Sequence, residues 1–415
     1  MLRLNPLLIS FLVVFTLRSA TQIFLNRLNI SHLRKHGGTV PDLFRDTVDA
    51  EKLQRISAYT VDSARFGIVS TLASQIFFLA ILLSGFLPWL VDTIMRLDWG
   101  TIPGGLIFFA VFGILSGVFR IPFDLYDTFV IENRYGFNTR TFRLWVADSL
   151  KGLALSAALS GALLALLLWL ILDGGDLWWF WAWILVGIVE LLMLWLYPVI
   201  LAPLFNKFEP LTDENLAGRI TAVLNKAGLR TRGIFQMDAS RRSKHTNAYF
   251  TGLGKTKRIV LFDTLVRSHE PEEIEAVLAH EAGHWRKRHV LKQLIVAEVL
   301  ALVGFFVVAQ LLHWPLLYRT FGFPQPVPYV GLLLISAIFS PLGFFIQPLA
   351  AYLSRRLERQ ADDFALDLVG TGEPLARALK RLAADNLSNL HPHPLYASFY
   401  YSHPPLAERI RRLRE

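Results

Sequence analysis

The chain has 415 residues, 53% of them hydrophobic, and a mean hydropathy of +0.41. This composition, with several apolar stretches of bilayer-spanning length, indicates a polytopic membrane protein and excludes one small soluble domain. A formal charge of +9 fits the Lys and Arg of cytoplasmic loops, and no RNA-binding signature favours a nucleic-acid partner. The sequence contains no cysteine, so a metal would have to be held by His and carboxylate side chains.

Seven apolar stretches predict seven transmembrane helices. They lie at about 4–25, 66–91, 102–122, 150–172, 177–204, 291–313 and 328–353. Arg18 interrupts the first stretch, but no small-x-small cleavage site follows it, so we expect a retained helix and not a signal peptide. Lys and Arg are frequent at 26–65, 123–149, 205–290 and in the tail, and rare in the connections between them. The positive-inside rule therefore places the N-terminus outside, and the C-terminus and the hydrophilic 205–290 segment in the cytoplasm.

The hydrophilic segment between the fifth and sixth spans predicts a helix–strand–helix unit. Apolar residues at helical spacing in "LTDENLAGRITAVLNKAGL" predict a helix that begins after Thr212 or Asp213 and ends at Gly228. Short strands are expected at "GIFQMDAS" and on either side of a bend at Gly252 and Gly254 in "NAYFTGLGKTKRIVLFDTL". A second helix, "EPEEIEAVLAHEAGHWRKRH", has an acidic first turn and basic last turns, which suit the two ends of the helix dipole.

The second helix contains the pattern His-Glu-x-x-His. His280 and His284 are four residues apart and point from one face of the helix, so their imidazoles can hold one zinc ion. Glu281 would then be placed to take a proton from the attacking water as a general base. The alternative is a helix with incidental histidines, but the helical context and the small Gly283 inside the pattern favour a metal site.

A catalytic zinc site usually has three protein ligands, so the sequence should supply one more. The segment "SRRLERQADDFA" follows the seventh span and places Glu358 and Asp362 on one helical face. Glu358 can complete a His-His-Glu site, and Asp362 can accept a hydrogen bond from a ligand histidine. Asp363 lies one position off this face and is the weaker candidate.

The spacing of these carboxylates is equally compatible with a solvated charged helix face. In that interpretation Arg355, Arg356 and Arg359 are ordinary ion-pair partners of the carboxylates. Spacing alone does not decide between the two interpretations.

Several motifs together resemble the type-1 CAAX prenyl protease family of integral-membrane zinc metallopeptidases. They are "IPFDLYDTFVIENRYGFNTRT" (121–141), "PLFNKFEPL" (203–211), "KHTNAYFTGLGKTKRIVLFDTL" (244–265), "HEAGH" (280–284), "SRRLERQAD" (354–362) and "YSHPPLAERI" (401–410). The resemblance covers the chain from about residue 120 to its end. It implies a mainly α-helical polytopic membrane protein whose seven long helices enclose a water-filled chamber, closed at one end by a gluzincin-like α+β catalytic domain.

The resemblance also implies roles for individual residues. Glu358 becomes the third zinc ligand, and Asp362 orients a ligand histidine by a hydrogen bond. The segment Asn247, Ala248 and Tyr249 is similar to an edge strand that pairs with the extended backbone of a substrate.

Two residues of the C-terminal motif are further candidates. His403, in "SHPP", matches a family histidine near the metal, where it can donate a hydrogen bond to the oxyanion of the reaction. Arg409 either supports the site through Asp362 or Glu358, or simply faces solvent before the basic tail.

We therefore expect a membrane-embedded zinc metalloendopeptidase with one Zn²⁺ per chain. Its predicted parts are a membrane region at 1–204, a first catalytic part at 205–290, two membrane helices at 291–353 and a second catalytic part at 354–415. The expected partners are the lipid bilayer and a peptide or protein substrate, either prenylated at a C-terminal CAAX sequence or embedded in the membrane. The alternative is a non-hydrolytic transporter or scaffold with structural zinc, which the presence of Glu281 and the sparse charges within the spans disfavour.

Short loops, a compact tail and the lack of a C-terminal ER-retention sequence favour a bacterial member of the family. The expected location is then the bacterial inner membrane, with the catalytic site on its cytoplasmic side. The sequence indicates neither the oligomeric state nor the cleavage-site preference.

Overall fold

The computed structural model describes residues 3–252 and 258–415. Its helices are α1 (Pro6–His36), α2 (Ala50–Leu83), α3 (Phe86–Met95), α4 (Thr101–Tyr126), α5 (Glu132–Arg134), α6 (Phe142–Asp173), α7 (Trp178–Leu196), α8 (Glu214–Lys226), α9 (Asp263–Ser268), α10 (Pro271–Arg286), α11 (His289–Leu312), α12 (Pro315–Thr320), α13 (Pro328–Val369), α14 (Glu373–Asp385), α15 (Pro394–Tyr400) and α16 (Leu406–Arg414). The strands are β1 (Phe208–Pro210), β2 (Ile234–Met237), β3 (Ala248–Thr251) and β4 (Arg258–Phe262). Short π-helical turns continue α4 and α7.

Seven of the described helical segments are long and apolar enough to cross a membrane, which confirms the predicted number. They are Pro6–His36, Ala50–Leu83, Thr101–Arg134, Phe142–Asp173, Gly175–Leu204, His289–Leu312 and Pro328–Val369. The predicted second span at 66–91 is wrong at its end, because α2 ends at Leu83 and a separate short helix, α3, follows. Gly85 makes this break, since its φ of +85° is a left-handed conformation that favours glycine.

Several helices extend well beyond the bilayer-spanning lengths that the apolar stretches indicate. The charged segment 26–65 is largely helical, because α1 continues to His36 and α2 begins at Ala50. Helix α13 has 42 residues, which corresponds to a length of about 63 Å. It therefore contains both the seventh span and the predicted carboxylate ligands.

The hydrophilic segment forms a small mixed sheet in the order β1-β2-β4-β3. Strand β2 pairs with β4 in parallel, and β3 pairs with β4 antiparallel, with Ala248 opposite Leu261. Within the described residues β3 has β4 as its sole strand partner, so one edge of β3 is open. The predicted bend between these strands includes Gly252, whose φ is +89°, whereas Gly254 lies outside the described residues.

The two helices predicted in this segment are confirmed. Helix α8 begins at the Asp213 N-cap, whose side chain accepts a hydrogen bond from the Leu216 N–H at 2.9 Å. Helix α10 begins with a reciprocal capping box between Glu270 and Glu273. Its start is thereby fixed two and a half turns before His280.

Two large hydrophobic cores, and a small third one around Val260, stabilise the described part of the chain. The sheet-side core includes Phe44, Ile56, Ile131, Ile220, Ile259, Leu261, Leu278 and Ile410. The far-end core includes Phe11, Leu82, Phe108, Leu168, Tyr318, Phe321, Val330 and Leu334. Between them the spans bury few side chains: in helix α6, all of which is described, the buried residues are Trp145 and Leu168, close to its two ends. A bundle packed along its whole length would bury one face of every helix.

Candidate metal centre

The close approach of α10 to α13 assembles the centre. Gly283, between the two histidines of α10, faces α13 so closely that an added Cβ would lie 3.0 Å from the Ala361 Cα and 3.1 Å from its carbonyl oxygen. A larger residue at this position would push the helices apart. The small residue noted in the sequence therefore permits the contact that brings Glu358 to His280 and His284.

The three predicted ligands converge as a metal site requires. The Nε2 atoms of His280 and His284 are 3.2 Å apart. Glu358 lies with Oε2 at 3.4 Å from the first and Oε1 at 3.2 Å from the second. Zinc with bonds of about 2.0–2.1 Å in a tetrahedron has ligand atoms about 3.3 Å apart. Among the described residues, these three form the only group of three or more His, Asp or Glu side chains whose ligand atoms all lie within 4.8 Å of one another.

The charge of the site also fits a cation. Burial opposes a charge on His280, yet hydrogen bonds to Asp362 and Glu358 outweigh it and raise the pKa of His280 to about 9. Glu358 is buried, and each of its carboxylate oxygens lies close to an imidazole nitrogen of the site. A buried carboxylate beside two imidazoles is the donor set of a His-His-Glu zinc site, so the solvated-face interpretation of this helix is wrong.

Asp362 supports the first ligand from behind. Its Oδ1 lies 2.8 Å from Nδ1 of His280, which leaves Nε2 directed at the centre. Arg409 is also buried and donates two hydrogen bonds to Asp362, at 2.9 and 2.6 Å. The sequence left open whether Arg409 supports the site or faces solvent, and in the structure it contacts Asp362. Asp363 faces away and pairs with the exposed Arg412 at 2.8 Å.

Of the arginines next to Glu358, Arg355 does not form the ordinary ion pair expected for it. Arg355 is buried and its Nη1 donates to the carbonyl oxygens of Ser398 and Tyr401, at 3.1 and 2.7 Å. It therefore caps the end of α15 just before the turn that carries His403. Arg359 does form an ion pair, with Glu408 at 2.9 Å.

The second ligand has partners that sequence reasoning missed. His284 Nδ1 lies 3.0 Å from Nδ1 of His289, and Nε2 of His289 lies 3.1 Å from Oε1 of Gln360. His289 follows "WRKR", so in the sequence it is part of a basic run before a membrane span. Its contact with residue 360 depends on the fold and has no local signal.

Two candidate catalytic residues lie at the same centre. Burial raises the pKa of Glu281, while His280, His284 and His403 act in the opposite direction. Nδ1 of His403 lies 2.6 Å from Oε2 of Glu358, although 62% of the His403 side chain is exposed. His403 therefore borders both the ligand carboxylate and the open side of the centre.

The segment Asn247, Ala248 and Tyr249 enters the edge strand β3. Asn247 precedes the strand, and its carbonyl oxygen accepts a hydrogen bond from the Phe262 N–H of β4 at 3.1 Å. Strand β3 packs against α10, the helix that carries both histidines. The predicted substrate strand is thus an open edge next to the ligand helix.

A polar network that sequence reasoning also missed holds the start of this strand. Nδ1 of His245 lies 3.1 Å from Asn386 Oδ1, and its Nε2 lies 3.2 Å from Glu132 Oε2. Asn386 accepts from the Thr246 N–H and donates to the Thr246 carbonyl oxygen, at 3.0 and 3.2 Å. Burial opposes a charge on His245, but the two hydrogen bonds raise its pKa. The network ties the start of α5, at Glu132, to Thr246, the residue that precedes Asn247.

Comparisons with known proteins agree with this geometry. Residues 29–207 match the CAAX prenyl protease N-terminal family, described as five membrane helices, and residues 210–415 match peptidase family M48. The chain is 36% identical to a CAAX prenyl protease 1 homolog of Arabidopsis thaliana, over 90% of each chain. It is 35% identical to CAAX prenyl protease 1 of Saccharomyces cerevisiae, over 90% of this chain and 88% of that protein. The crystal structure of S. mikatae Ste24p superimposes with a TM-score of 0.93 and 32% identity over 100% of both chains.

These relatives are eukaryotic, so the comparisons do not support the expected bacterial origin. That expectation was based on short loops and a compact tail. The alignment with S. mikatae Ste24p covers 100% of both chains, so these features are compatible with a eukaryotic member of the family. Loop length changes easily without changing a fold, which makes it a poor indicator of origin.

Proposed function

The chain belongs to the CAAX prenyl protease 1 family of M48 zinc metallopeptidases, and we propose that it cleaves a prenylated protein near its C-terminus with Glu281 as general base. The observation that carries this proposal is the His280, His284 and Glu358 site with Glu281 beside it on the ligand helix. The family favours hydrolysis over the alternative of a transporter or scaffold with structural zinc.

The residues divide the work of peptide hydrolysis between them. One zinc ion per chain, held by His280, His284 and Glu358, would polarise the scissile carbonyl and make water more acidic when bound. Glu281 takes the proton of the attacking water and passes it to the leaving nitrogen. His403, at the open side of the centre, donates a hydrogen bond to the carbonyl oxygen as negative charge develops there.

Substrate backbone would bind to the open edge of β3. An extended peptide can add to this edge by main-chain hydrogen bonds, with Asn247, Ala248 and Tyr249 as its partners. The exposed Asn247 and the contact of β3 with α10 support this placement. A peptide bound in this way would lie close to the helix that carries His280 and His284.

The membrane region would receive the lipid chain of the substrate. The spans bury few side chains between the two cores, which supports the enclosed chamber implied by the family resemblance. The charge distribution supports a catalytic unit on the cytoplasmic side, built from 205–290 and 354–415, with the N-terminus on the other side. Integral membrane placement itself follows from the family and the seven spans.

The proposal is tested by cleavage assays with purified, detergent-solubilised full chain. Wild type is compared with Glu281→Gln on a farnesylated CAAX peptide, its unprenylated twin and an unrelated hydrophobic peptide, with bound zinc quantified in both proteins. We expect wild type to cut the farnesylated peptide, and the variant to hold about one zinc per chain and cut nothing. Equal cutting by both proteins would exclude Glu281 as the base, and equal cutting of all three peptides would replace CAAX processing by general membrane proteolysis.

A further inference from the structure

We propose that His289 and Gln360 form a hydrogen-bonded relay that fixes the ring orientation and tautomer of His284 and thereby sets the affinity of the centre for zinc. The inference rests on the proposed function through the metal site and is independent of the identity of the substrate. His289 and Gln360 are positioning residues, since neither touches the metal position or the substrate strand.

The relay is built from two short contacts on the side of His284 that faces away from the centre. His284 presents Nε2 to His280 and Glu358. Its other nitrogen, Nδ1, lies 3.0 Å from Nδ1 of His289, and Nε2 of His289 lies 3.1 Å from Oε1 of Gln360. His289 is 1% exposed, so its ring is shielded from bulk solvent.

The positions of the hydrogens follow from the chemistry of each group. A histidine that binds zinc through Nε2 carries its hydrogen on Nδ1, so His284 donates to His289. His289 must then accept at Nδ1 and carry its own hydrogen on Nε2, where the carbonyl oxygen of Gln360 accepts it. Both hydrogen bonds therefore point away from the centre: His284 donates to His289, and His289 donates to Gln360. Each of the three groups has the donor or acceptor that its neighbour requires.

The relay joins three helices at the point where the ligand helix meets the membrane. His289 is the first residue of α11, and only Lys287 and Arg288 separate it from α10. Arg288 has a φ of +55°, a left-handed conformation that turns the chain sharply here. Gln360 lies on α13, between Glu358 and Asp362. The second zinc ligand is thus held to the helix that supplies the third.

The two ligand histidines are supported by different chemistry. Behind His280 stands the carboxylate of Asp362, itself paired with Arg409. His284 contacts instead the neutral imidazole of His289, which in turn contacts the amide of Gln360. A neutral acceptor can orient the ring of His284 but adds no charge, so what it supplies is geometry. A substitution that keeps an acceptor at the right point should therefore keep the function of His289.

Two substitutions of His289 separate this role from packing. In His289→Asn the side-chain oxygen can occupy the position of Nδ1 and still accept from His284, whereas in His289→Gln the amide reaches the position of Nε2 and leaves Nδ1 without an acceptor. Zinc dissociation constants are measured by chelator competition on the full chain in detergent, together with the visible spectrum of the Co²⁺-substituted protein. His313→Gln is the matched control, because His313 bonds to the Ala309 carbonyl oxygen at the opposite end of α11.

We expect His289→Gln to weaken zinc binding about 10- to 100-fold and to change the Co²⁺ spectrum, while His289→Asn stays close to wild type. Wild-type affinity in His289→Gln would overturn the proposal. An equal loss in both variants, or a smaller loss with the larger Gln, would mean that His289 acts by filling space.

Gln360→Leu tests the far end of the relay and does not depend on how the His289 variants fold. We expect a smaller loss of zinc affinity with unchanged thermal stability, and no further loss when it is combined with His289→Gln, because both act through one chain of contacts. Unchanged zinc affinity in Gln360→Leu would remove Gln360 from the relay. If wild type binds zinc tightly but cuts no peptide, the proposed function fails and these affinity measurements still decide the relay.

Discussion

The two ends of the molecule are stabilised by different interactions. The far-end core consists mainly of hydrophobic side chains from the membrane helices and from the short helices α3 and α12. At the sheet-side end, charged groups are buried as well: Asp263, Glu273, Arg355, Glu358, Asp362, Lys380 and Arg409 are the buried charged residues of the described chain. Apolar packing resists change of volume, whereas buried charges resist the loss of a partner. Substitutions at the far end should therefore alter stability alone, whereas substitutions at the sheet-side end should alter stability and chemistry together.

The largest effect should follow the loss of a buried charge partner. Arg409→Met leaves Asp362 buried without its cation, and we expect a loss of about 3–5 kcal/mol in unfolding free energy, with weaker zinc binding through His280. Thermal unfolding and chelator competition measure the two effects. Arg412→Met is the matched control, because the Arg412–Asp363 pair is 42% and 50% exposed and such pairs contribute at most about 1 kcal/mol. Equal effects in both variants would remove the distinction between buried and exposed pairs.

Loss of the cap on α15 should affect catalysis more than stability. Arg355→Gln removes the donors to Ser398 and Tyr401, so the turn with His403 is no longer fixed over the centre. We expect kcat to fall about 10- to 100-fold, with zinc affinity within the error of wild type. Its neighbour Arg356 is exposed, so the control variant Arg356→Gln should leave kcat unchanged. If Arg355→Gln loses zinc but keeps its turnover per zinc-loaded molecule, Arg355 belongs to the metal site.

At the far end, overpacking should cost stability and leave chemistry intact. An added Cβ at Gly331 would collide with the Tyr318 hydroxyl and a methyl group of Leu312. We therefore expect Gly331→Ala to lose about 1–3 kcal/mol of unfolding free energy, read as a lower melting temperature. Turnover per folded, zinc-loaded molecule should equal that of wild type. A lower kcat, measured at a temperature at which both proteins are folded, would show that the two ends are coupled.

A smaller, pH-dependent effect should be confined to the sheet-side end. The folded pKa of His245 is raised by Glu132 and Asn386, so its stabilisation is complete below the unfolded pKa of about 6.5 and is lost as pH rises through the folded pKa. Unfolding measured across this window should show wild type losing more stability with rising pH than His245→Gln. Parallel pH curves for the two proteins would contradict a raised pKa of His245 in the folded state.

The smallest effect is expected midway between the cores. An added Cβ at Gly113, on α4, would meet nothing within 4 Å. Gly113→Ala should therefore be neutral or stabilise by up to about 1 kcal/mol through helix propensity. A destabilisation as large as that of Gly331→Ala would mean that the middle of the bundle is packed, and would exclude the chamber.

Local patterns in the sequence predicted much of this molecule. Seven apolar stretches gave the number of spans, and a four-residue spacing gave His280 and His284, because both signals depend on helix geometry alone. Glu358 needed the family motif as well, since its spacing to Asp362 also fits a solvated face. The predictions made from spacing alone concern residues that are close in sequence, whereas the pairing of Glu358 with His280 and His284 came from the family motif.

What the sequence could not predict are contacts between distant segments. His289 meets Gln360 across 71 residues, and His245 meets Asn386 across 141. Arg355 has the composition of an ion-pair partner, yet it binds carbonyl oxygens of α15, because the packing of α15 on α13 places them there. No local periodicity encodes such pairs, so they follow only from the fold.

The order in which the chain is synthesised gives the long helix α13 a further consequence. His280 and His284 leave the ribosome well before Glu358, and Glu358 lies on the same continuous helix as the last membrane span. Arg409, which neutralises the carboxylate behind His280, follows Asp362 by 47 residues. The hydrolytic centre can therefore be completed only after the seventh span and the segment that follows it have been made. We expect chains that stop before Glu358 to lack the third ligand and to have no protease activity in the membrane in which they are made.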